Sequence, residues 1–253
     1  MGRPGPLLPR RRLDAGSIGH GRGGRSYRRL TSLDKGGMGE LYLAEVSAPG
    51  HSKDYVVVKR LLADLIDDEK YVAMFRSEAQ VMERLDHPNI VAVYDTPVVD
   101  DAQCLALEYV RGRSAQQVLS YFEDEQLIIP PRIAVRIMEQ VLRGLHYAHT
   151  YRLADGSNLD LVHRDVSPGN VLLSFDGDVK LTDFGIAKSQ MSVVSTTVGI
   201  VKGKARYLAP EQILGDPATP RSDVFSAAAV ICELLTGIPT FDQSTVPKTL
   251  FAI

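Results

Sequence analysis

The stretch His163-Arg164-Asp165-Val166-Ser167-Pro168-Gly169-Asn170 decides how this chain is interpreted, together with Asp183-Phe184-Gly185, which begins thirteen residues after Asn170. The hydrophobic run Val171-Leu172-Leu173 separates the two segments and predicts a strand. Two carboxylates, Asp165 and Asp183, and one amide, Asn170, therefore flank that strand. Their order and spacing are typical of phosphoryl transfer from ATP, in which one carboxylate orients a hydroxyl and the other two groups hold Mg²⁺.

These motifs resemble those of the eukaryotic-type (Hanks-type) protein kinase family, in the style of its bacterial Ser/Thr members. Ala209-Pro210-Glu211 and Asp223 fit the same pattern. The resemblance implies an α+β, protein-kinase-like two-lobed fold, in which a small antiparallel β lobe with one helix precedes a larger, mainly α-helical lobe. It covers residues 27–253, with the N-lobe near 27–110 and the C-lobe near 111–253. Family members continue beyond the position of Ile253, so we expect an incomplete C-terminus.

The first 26 residues differ in composition from the rest of the chain. The first 29 residues hold eight Arg against one acid, Asp14, although the whole chain has a net charge of −2. Because a segment rich in Gly, Pro and Arg buries little apolar surface, we predict a disordered basic tail over residues 1–26. Such a tail can contact nucleic acid or anionic lipid, but a solvated leader is the simpler interpretation, and no nucleic-acid partner is expected.

Hydrophobic periodicity outlines the remaining elements. Strands are predicted on both sides of residues 36–39 and at 55–59, 90–94 and 105–110; helices are predicted at 67–85, 131–149 and 222–236. Cys104 and Cys232 each lie in an apolar run, which predicts two buried free thiols in a reducing cytoplasm. No run of 18 apolar residues occurs, so we expect no membrane span, and we expect a cytoplasmic location.

The first half of the chain supplies candidates for nucleotide binding. Gly36 and Gly39 lie between two predicted strands, where backbone approaches a phosphate closely only if no Cβ intervenes. Taken alone, these glycines are better explained by a plain β-turn, and the phosphate-binding interpretation depends on Lys59. Lys59 ends a predicted buried strand and needs a counter-charge, which Glu78 on the next helix can provide. The resemblance implies that this pair positions the phosphates. It also implies a site for the adenine base formed by Leu33, Leu41, Val57 and Leu172 and by the hinge residues Glu108, Tyr109 and Val110.

The resemblance assigns catalytic roles in the second half. Asp165 orients the attacking hydroxyl, Asn170 and Asp183 bind Mg²⁺, and His163 is a packing residue against Phe184 rather than a base. Arg164 is expected to pair with a phosphorylated activation segment. That segment contains Ser189, Ser192, Ser195, Thr196 and Thr197, of which the two threonines are the preferred phosphosites.

Three positions depart from the family pattern. Asp34 replaces the first glycine of the Gly-rich loop. Ser167 occupies the place of a lysine that neutralises the transferring phosphoryl group, and Lys204 occupies the place of a threonine that hydrogen-bonds the catalytic aspartate. We therefore predict an exchange in which Lys204 replaces the missing cation and is a catalytic residue, while Ser167 replaces the threonine hydroxyl. A solvated surface lysine is the alternative.

Several functions remain open from the sequence alone. The favoured function is a Ser/Thr protein kinase that uses ATP and Mg²⁺, acts on protein substrates and phosphorylates its own activation segment. The alternative is a catalytically impaired kinase-like module that binds a nucleotide or a partner, as Asp34 and Ser167 suggest. A small-molecule phosphotransferase is disfavoured by Ala209-Pro210-Glu211 and Asp223, which are typical of kinases that act on proteins.

Overall fold

A computed structural model describes residues 18–36, 39–47, 54–99, 102–184 and 203–253. The chain divides into two compact units. The first comprises the residues up to Ala79 together with Val93–Tyr109, and the second comprises Gln80–Ala92 and Val110–Ile253. Strands dominate the first unit and helices dominate the second. The predicted α+β fold class is confirmed.

The first unit is an antiparallel sheet that closes on itself. Its strands are β1 Ile18–His20, β2 Ser26–Gly36, β3 Gly39–Ser47, β4 Asp54–Leu61, β5 Val93–Asp95, β6 Val98–Val99 and β7 Ala102–Glu108. The strand order is β4-β3-β2-β1-β6-β7-β5, and β4 also pairs with β7. Strand β1 is the element that joins β2 to β6 and so completes the ring.

A buried cluster on one face of this sheet stabilises the first unit. Its members are Tyr27, Tyr42, Ala44, Val56, Val58, Val99, Cys104 and Ala106. They recur at every second position because alternate side chains of a strand point to the same face. Leu41, Val57 and Lys59 occupy the intervening positions of β3 and β4. These three side chains therefore lie together on the opposite face of the sheet.

The disordered tail predicted for residues 1–26 is wrong for residues 18–26; residues 1–17 lie outside the described residues. Strand β1 pairs with β2, and Asp95, which is 1% exposed, holds the turn between them. Its Oδ2 accepts hydrogen bonds from Tyr27 Oη at 2.8 Å and from Arg22 N at 3.0 Å. Gly21 lies so close to this carboxylate that a Cβ there would meet Oδ2 at 2.2 Å. The prediction failed because the acceptor lies about seventy positions further along the chain.

Loss of this carboxylate is expected to loosen strand β1. Asp95→Ala leaves the buried hydroxyl of Tyr27 without its acceptor, and an unsatisfied buried polar group costs about 1–3 kcal/mol. We expect the free energy of unfolding in urea to fall by about that amount and amide exchange at Gly19 and His20 to accelerate. Asp176→Ala is the control, because its side chain is 69% exposed. Unchanged exchange at both amides would contradict the role given to Asp95.

The second unit combines helices with a small sheet. Its helices are α2 Ala115–Asp124, α3 Pro131–His149, α4 Pro210–Leu214, α5 Pro220–Thr236 and α6 Val246–Ala252, and helix α1, Glu69–Met82, spans the boundary between the units. Strands β8 Gly112–Ser114, β9 Val171–Ser174 and β10 Val179–Leu181 form an antiparallel sheet in the order β10-β9-β8. Helix α3 coincides with the predicted range 131–149. Among the described residues, no helix is both long and apolar enough to cross a membrane.

Helix α5 is partly buried and contains Asp223, a residue of the candidate site. Thr219 caps its N-terminus and Gly237 ends it with φ of 71°. Val230 and Leu234 are fully buried, whereas Val224 is 55% exposed. Cys104 is buried as predicted, but the prediction of a buried Cys232 is wrong because this thiol lies on the exposed side of the helix. An apolar run alone does not distinguish the two sides of a helix.

Candidate active site

Lys59 and Glu78 form a close ion pair in the first unit. Lys59 Nζ donates to Glu78 Oε1 at 2.7 Å, and the two side chains are 18% and 9% exposed. Strand β4 presents Lys59 on the face opposite the buried cluster, and helix α1 supplies Glu78. Such a pair is partly desolvated, so each charge depends on the other for stabilisation. The structure brings these two predicted residues together.

The face around Lys59 is apolar and incompletely covered. Leu41 lies opposite Lys59 in the β3–β4 register, and both Leu41 and Val57 are half-buried. Leu33 on β2 is 48% exposed, an unusual state for a large apolar side chain. Glu108 and Tyr109, at the end of β7, are also half-buried, as is Val110, the first residue of the second unit. In the first unit, Leu33, Leu41 and Val57 therefore offer apolar surface to a planar ligand.

The Gly-rich turn lies at the end of the β2–β3 hairpin. Gly36 and Gly39 are paired across the two strands, and residues 37 and 38 lie outside the described residues. A Cβ on Gly39 would lie 2.9 Å from the carbonyl oxygen of Arg60, so this position requires glycine for packing alone. Asp34 accepts a hydrogen bond from Lys35 N at 2.8 Å.

In the second unit, Asp223 holds the backbone of the catalytic loop, residues 163–170. This carboxylate is 1% exposed and accepts hydrogen bonds from His163 N and Arg164 N, both at 2.8 Å. His149 Nε2 lies 2.7 Å from Asp223 Oδ2. Arg164 has φ of 66°, a left-handed conformation that costs a non-glycine residue on the order of 1–3 kcal/mol. The contacts of Asp223 offset that cost.

The buried ring of His163 connects the catalytic loop to the segment before Asp183. Complete burial lowers the pKa of His163, so the imidazole is neutral near pH 7. Asp165 N donates to Nδ1 at 3.3 Å, which leaves Nε2 to donate to Thr182 O at 3.1 Å. The ring also contacts Phe184, with 4.4 Å between centroids. Both nitrogens are used structurally, which favours the predicted packing role over that of a base.

Asn170 is bound directly to Asp165. Its Nδ2 donates to Asp165 O at 2.7 Å and to Asp165 Oδ2 at 3.1 Å. Thr182 N donates to Asn170 O at 3.0 Å, which ties the loop to the residue before Asp183. Asp183 has φ of 55°, so its backbone is left-handed like that of Arg164. Leu172, on strand β9 between the two segments, is half-buried.

Lys204 reaches Asp165 from outside the catalytic loop. Its Nζ lies 2.6 Å from Asp165 Oδ2, with 44% of the lysine side chain and 9% of the aspartate side chain exposed. Ser167 is 3% exposed, and its Oγ has no hydrogen-bond partner among the described residues. The structure therefore brings Lys204 to the carboxylate as the exchange hypothesis requires, but within the described part of the chain the Ser167 hydroxyl has no hydrogen bond.

Arg164 is a cation in an unfavourable environment. Desolvation lowers the pKa of its guanidinium, and Nε is a buried donor without a hydrogen-bond partner among the described residues. A buried unpaired donor of this kind suits an anionic ligand. The predicted phosphosites Ser189, Ser192, Ser195, Thr196 and Thr197, and Gly185, lie outside the described residues.

Two residues near the catalytic loop were missed by the sequence analysis. His149 contacts Asp223, and Gln212 Nε2 donates to Arg164 O at 3.1 Å. Neither residue lies in a motif, and each is more than 45 positions from its partner in the sequence, so no local signal pointed to them. Glu211, the last residue of the motif Ala209-Pro210-Glu211, accepts a hydrogen bond from the Ser222 hydroxyl.

Known proteins resemble this chain over most of its length. A family profile described as protein kinase domain matches residues 27–252. Tyrosine-protein kinase MasK of Myxococcus xanthus is 36% identical, covering 86% of this chain and 34% of that protein. Serine/threonine-protein kinase PrkC of Bacillus subtilis is 37% identical, covering 85% and 31%. The chain thus spans about a third of the length of these two curated relatives.

Solved structures show the same similarity. The crystal structure of the Mycobacterium tuberculosis PknI kinase domain is 32% identical to this chain and superposes with a TM-score of 0.63. The similarity covers 87% of this chain and 77% of that one.

Proposed function

Because this chain belongs to the protein kinase family, we propose that it transfers the γ-phosphate of ATP to serine and threonine hydroxyls of proteins. The observation that carries the proposal is the arrangement around Asp165, whose carboxylate is bound by Asn170 Nδ2 at 3.1 Å and by Lys204 Nζ at 2.6 Å. A carboxylate fixed in this way is suited to orient an attacking hydroxyl.

The residues present fit a nucleotide with Mg²⁺. Asn170 Nδ2 donates both side-chain hydrogen bonds to Asp165, and the carbonyl oxygen of the same amide, the end that binds metal ions, takes part in neither. Asp183 adds a carboxylate, and Mg²⁺ typically takes one or two protein oxygens together with phosphates and water. Bound there, the ion would neutralise phosphate charge. Lys59, oriented by Glu78, is suited to bind phosphate oxygens, and the apolar face with Leu33, Leu41 and Val57 is suited to the base.

Serine and threonine are the preferred acceptors in this proposal. PrkC is described as a serine/threonine kinase and MasK as a tyrosine kinase, at nearly equal identity to this chain. Pro168 in the catalytic loop, together with the general resemblance to bacterial Ser/Thr kinases, favours serine and threonine. The cytoplasmic location and a role in signalling complete the proposal, with proteins as substrates.

The test is transfer of labelled phosphate from ATP to myelin basic protein, followed by identification of the labelled amino acids. We expect Mg²⁺-dependent labelling of serine and threonine in the acceptor and in the chain itself, where mass spectrometry should find Thr196 or Thr197 modified. Asp183→Asn should abolish labelling because it removes a metal ligand.

The alternatives predict other results. Nucleotide binding without transfer would favour the impaired module, and labelling of tyrosine alone would contradict the preference for serine and threonine. Asp178→Asn is the matched control, since this exposed carboxylate lies in the turn before strand β10.

A further inference from the structure

The catalytic loop places no cation of its own two residues after Asp165. Ser167 stands there, uncharged and buried, and its Oγ has no hydrogen-bond partner among the described residues. Arg164, on the other side of Asp165, is held through its backbone by Asp223. The ammonium group that contacts the Asp165 carboxylate belongs to Lys204, thirty-nine positions further along the chain.

The backbone that carries Lys204 is firmly anchored. Lys204–Tyr207 form a single 3-10 turn in which Ala205 is fully buried and Tyr207 is 6% exposed. Tyr207 Oη donates to the buried carboxylate of Glu233, and Tyr207 O accepts from Ser226 Oγ at 2.6 Å. Helix α5, which supplies Glu233 and Ser226, also supplies Asp223, which holds the catalytic loop. The turn that carries Lys204 and the loop that carries Asp165 are therefore both anchored to helix α5.

An ammonium in this place has a chemical use. A carboxylate that orients an attacking hydroxyl must lie within hydrogen-bond reach of it, roughly 2.6–3.2 Å. In the transition state of phosphoryl transfer, negative charge is spread over the equatorial oxygens of the transferring group. A cation bound to the same carboxylate lies beside that charge, and it stabilises the charge most strongly where water is partly excluded.

We propose that Lys204 is a catalytic residue that neutralises the transferring phosphoryl group from its place on Asp165. This deepens, and rests on, the proposed kinase function. The acceptor oxygen bonds to the γ-phosphorus as the bond from phosphorus to the ADP oxygen breaks. The hydroxyl proton passes to Asp165, and Lys204 keeps its protons throughout. The turn after the activation segment, rather than residue 167 of the catalytic loop, therefore delivers the charge.

The experiment compares Lys204→Ala and Lys204→Arg with the wild-type chain. Removal of one preorganised donor from a reaction centre lowers kcat about 10²–10³-fold, so we expect a loss of that size in Lys204→Ala, with the KM for ATP little changed. Lys204→Arg keeps the charge and should recover much of the loss. Binding of ADP with aluminium fluoride, a mimic of the transferring phosphoryl group, should weaken in Lys204→Ala, whereas the affinity for ADP alone should not.

Three outcomes would overturn the proposal. Lys204→Ala could keep wild-type kcat, as a surface lysine would; it could raise kcat, as a lysine that blocks Asp165 would; or it could weaken ADP and the mimic equally. Lys248→Ala, which removes an exposed lysine of helix α6, is the control. Binding of the mimic is measured without turnover, so the two possible failures give different results. If the proposed kinase function is wrong, the wild-type chain itself transfers no phosphate. If only the role of Lys204 is wrong, the wild-type chain is active and Lys204→Ala gives one of the three outcomes above.

Discussion

Asp165→Asn is expected to lower kcat about 10²–10⁴-fold, the range for loss of a general base, and to leave the fold intact. The side chain is nearly buried, and asparagine matches it in size. The amide oxygen of the new residue can still accept hydrogen bonds from Asn170 and Lys204, which bind Oδ2 in the native chain. What the variant loses is the negative charge that accepts the hydroxyl proton.

The measurement is steady-state phosphate transfer together with thermal unfolding and nucleotide affinity. We expect unchanged affinity for ADP and a melting temperature near that of the wild-type chain, so that the loss lies in kcat. Asp160→Asn is a suitable control because this exposed aspartate belongs to the polar loop before the catalytic loop. Retention of more than about a tenth of the wild-type kcat would be incompatible with a general base at Asp165.

Lys59→Met is expected to lower kcat/KM for ATP by about 10²–10³-fold, as for removal of one preorganised donor. The variant also leaves the carboxylate of Glu78, which is 9% exposed, without the ammonium that lies 2.7 Å away. Removing one partner of a buried ion pair costs about 3–5 kcal/mol. A lower melting temperature should therefore accompany the loss of activity. Activity should be assayed well below the melting temperature of the variant.

A double-mutant cycle separates the role of Lys59 from that of its partner. Glu78→Gln should lower activity less than Lys59→Met, because Glu78 acts by orienting the lysine. The double variant should be no less active than Lys59→Met alone, since residues that act as a unit are not additive. Lys70→Met, on the exposed side of helix α1, is the control. Additive losses in the cycle would contradict a role for Glu78 through Lys59.

The sequence predicted those parts of the site whose residues lie in continuous motifs. Asp165 and Asn170 are five positions apart, and their contact follows from one loop. Helix α3 was predicted at its observed bounds because its apolar face repeats at helical spacing over five turns. Pairing of Lys59 with Glu78 followed from the cost of an unpaired buried charge.

Contacts between distant parts of the chain were the ones that sequence reasoning missed. Strand β1 depends on Asp95, and the catalytic loop depends on His149 through Asp223. Hydrophobic periodicity along the sequence does not predict contacts between residues so far apart. Helix α2 was missed for another reason. Ser114 and Gln117 form a reciprocal cap at its start, a local signal that was present in the sequence and was not used.

The short strand β1 has a consequence for how this protein is handled. It covers strand β2 at residues 26–28, where backbone amide and carbonyl groups would otherwise face solvent. The family match begins at residue 27, so a chain trimmed to that boundary would uncover this edge. Uncovered strand edges recruit strands from other molecules, and the trimmed protein would be prone to self-association. Recombinant forms should therefore begin upstream of Ile18.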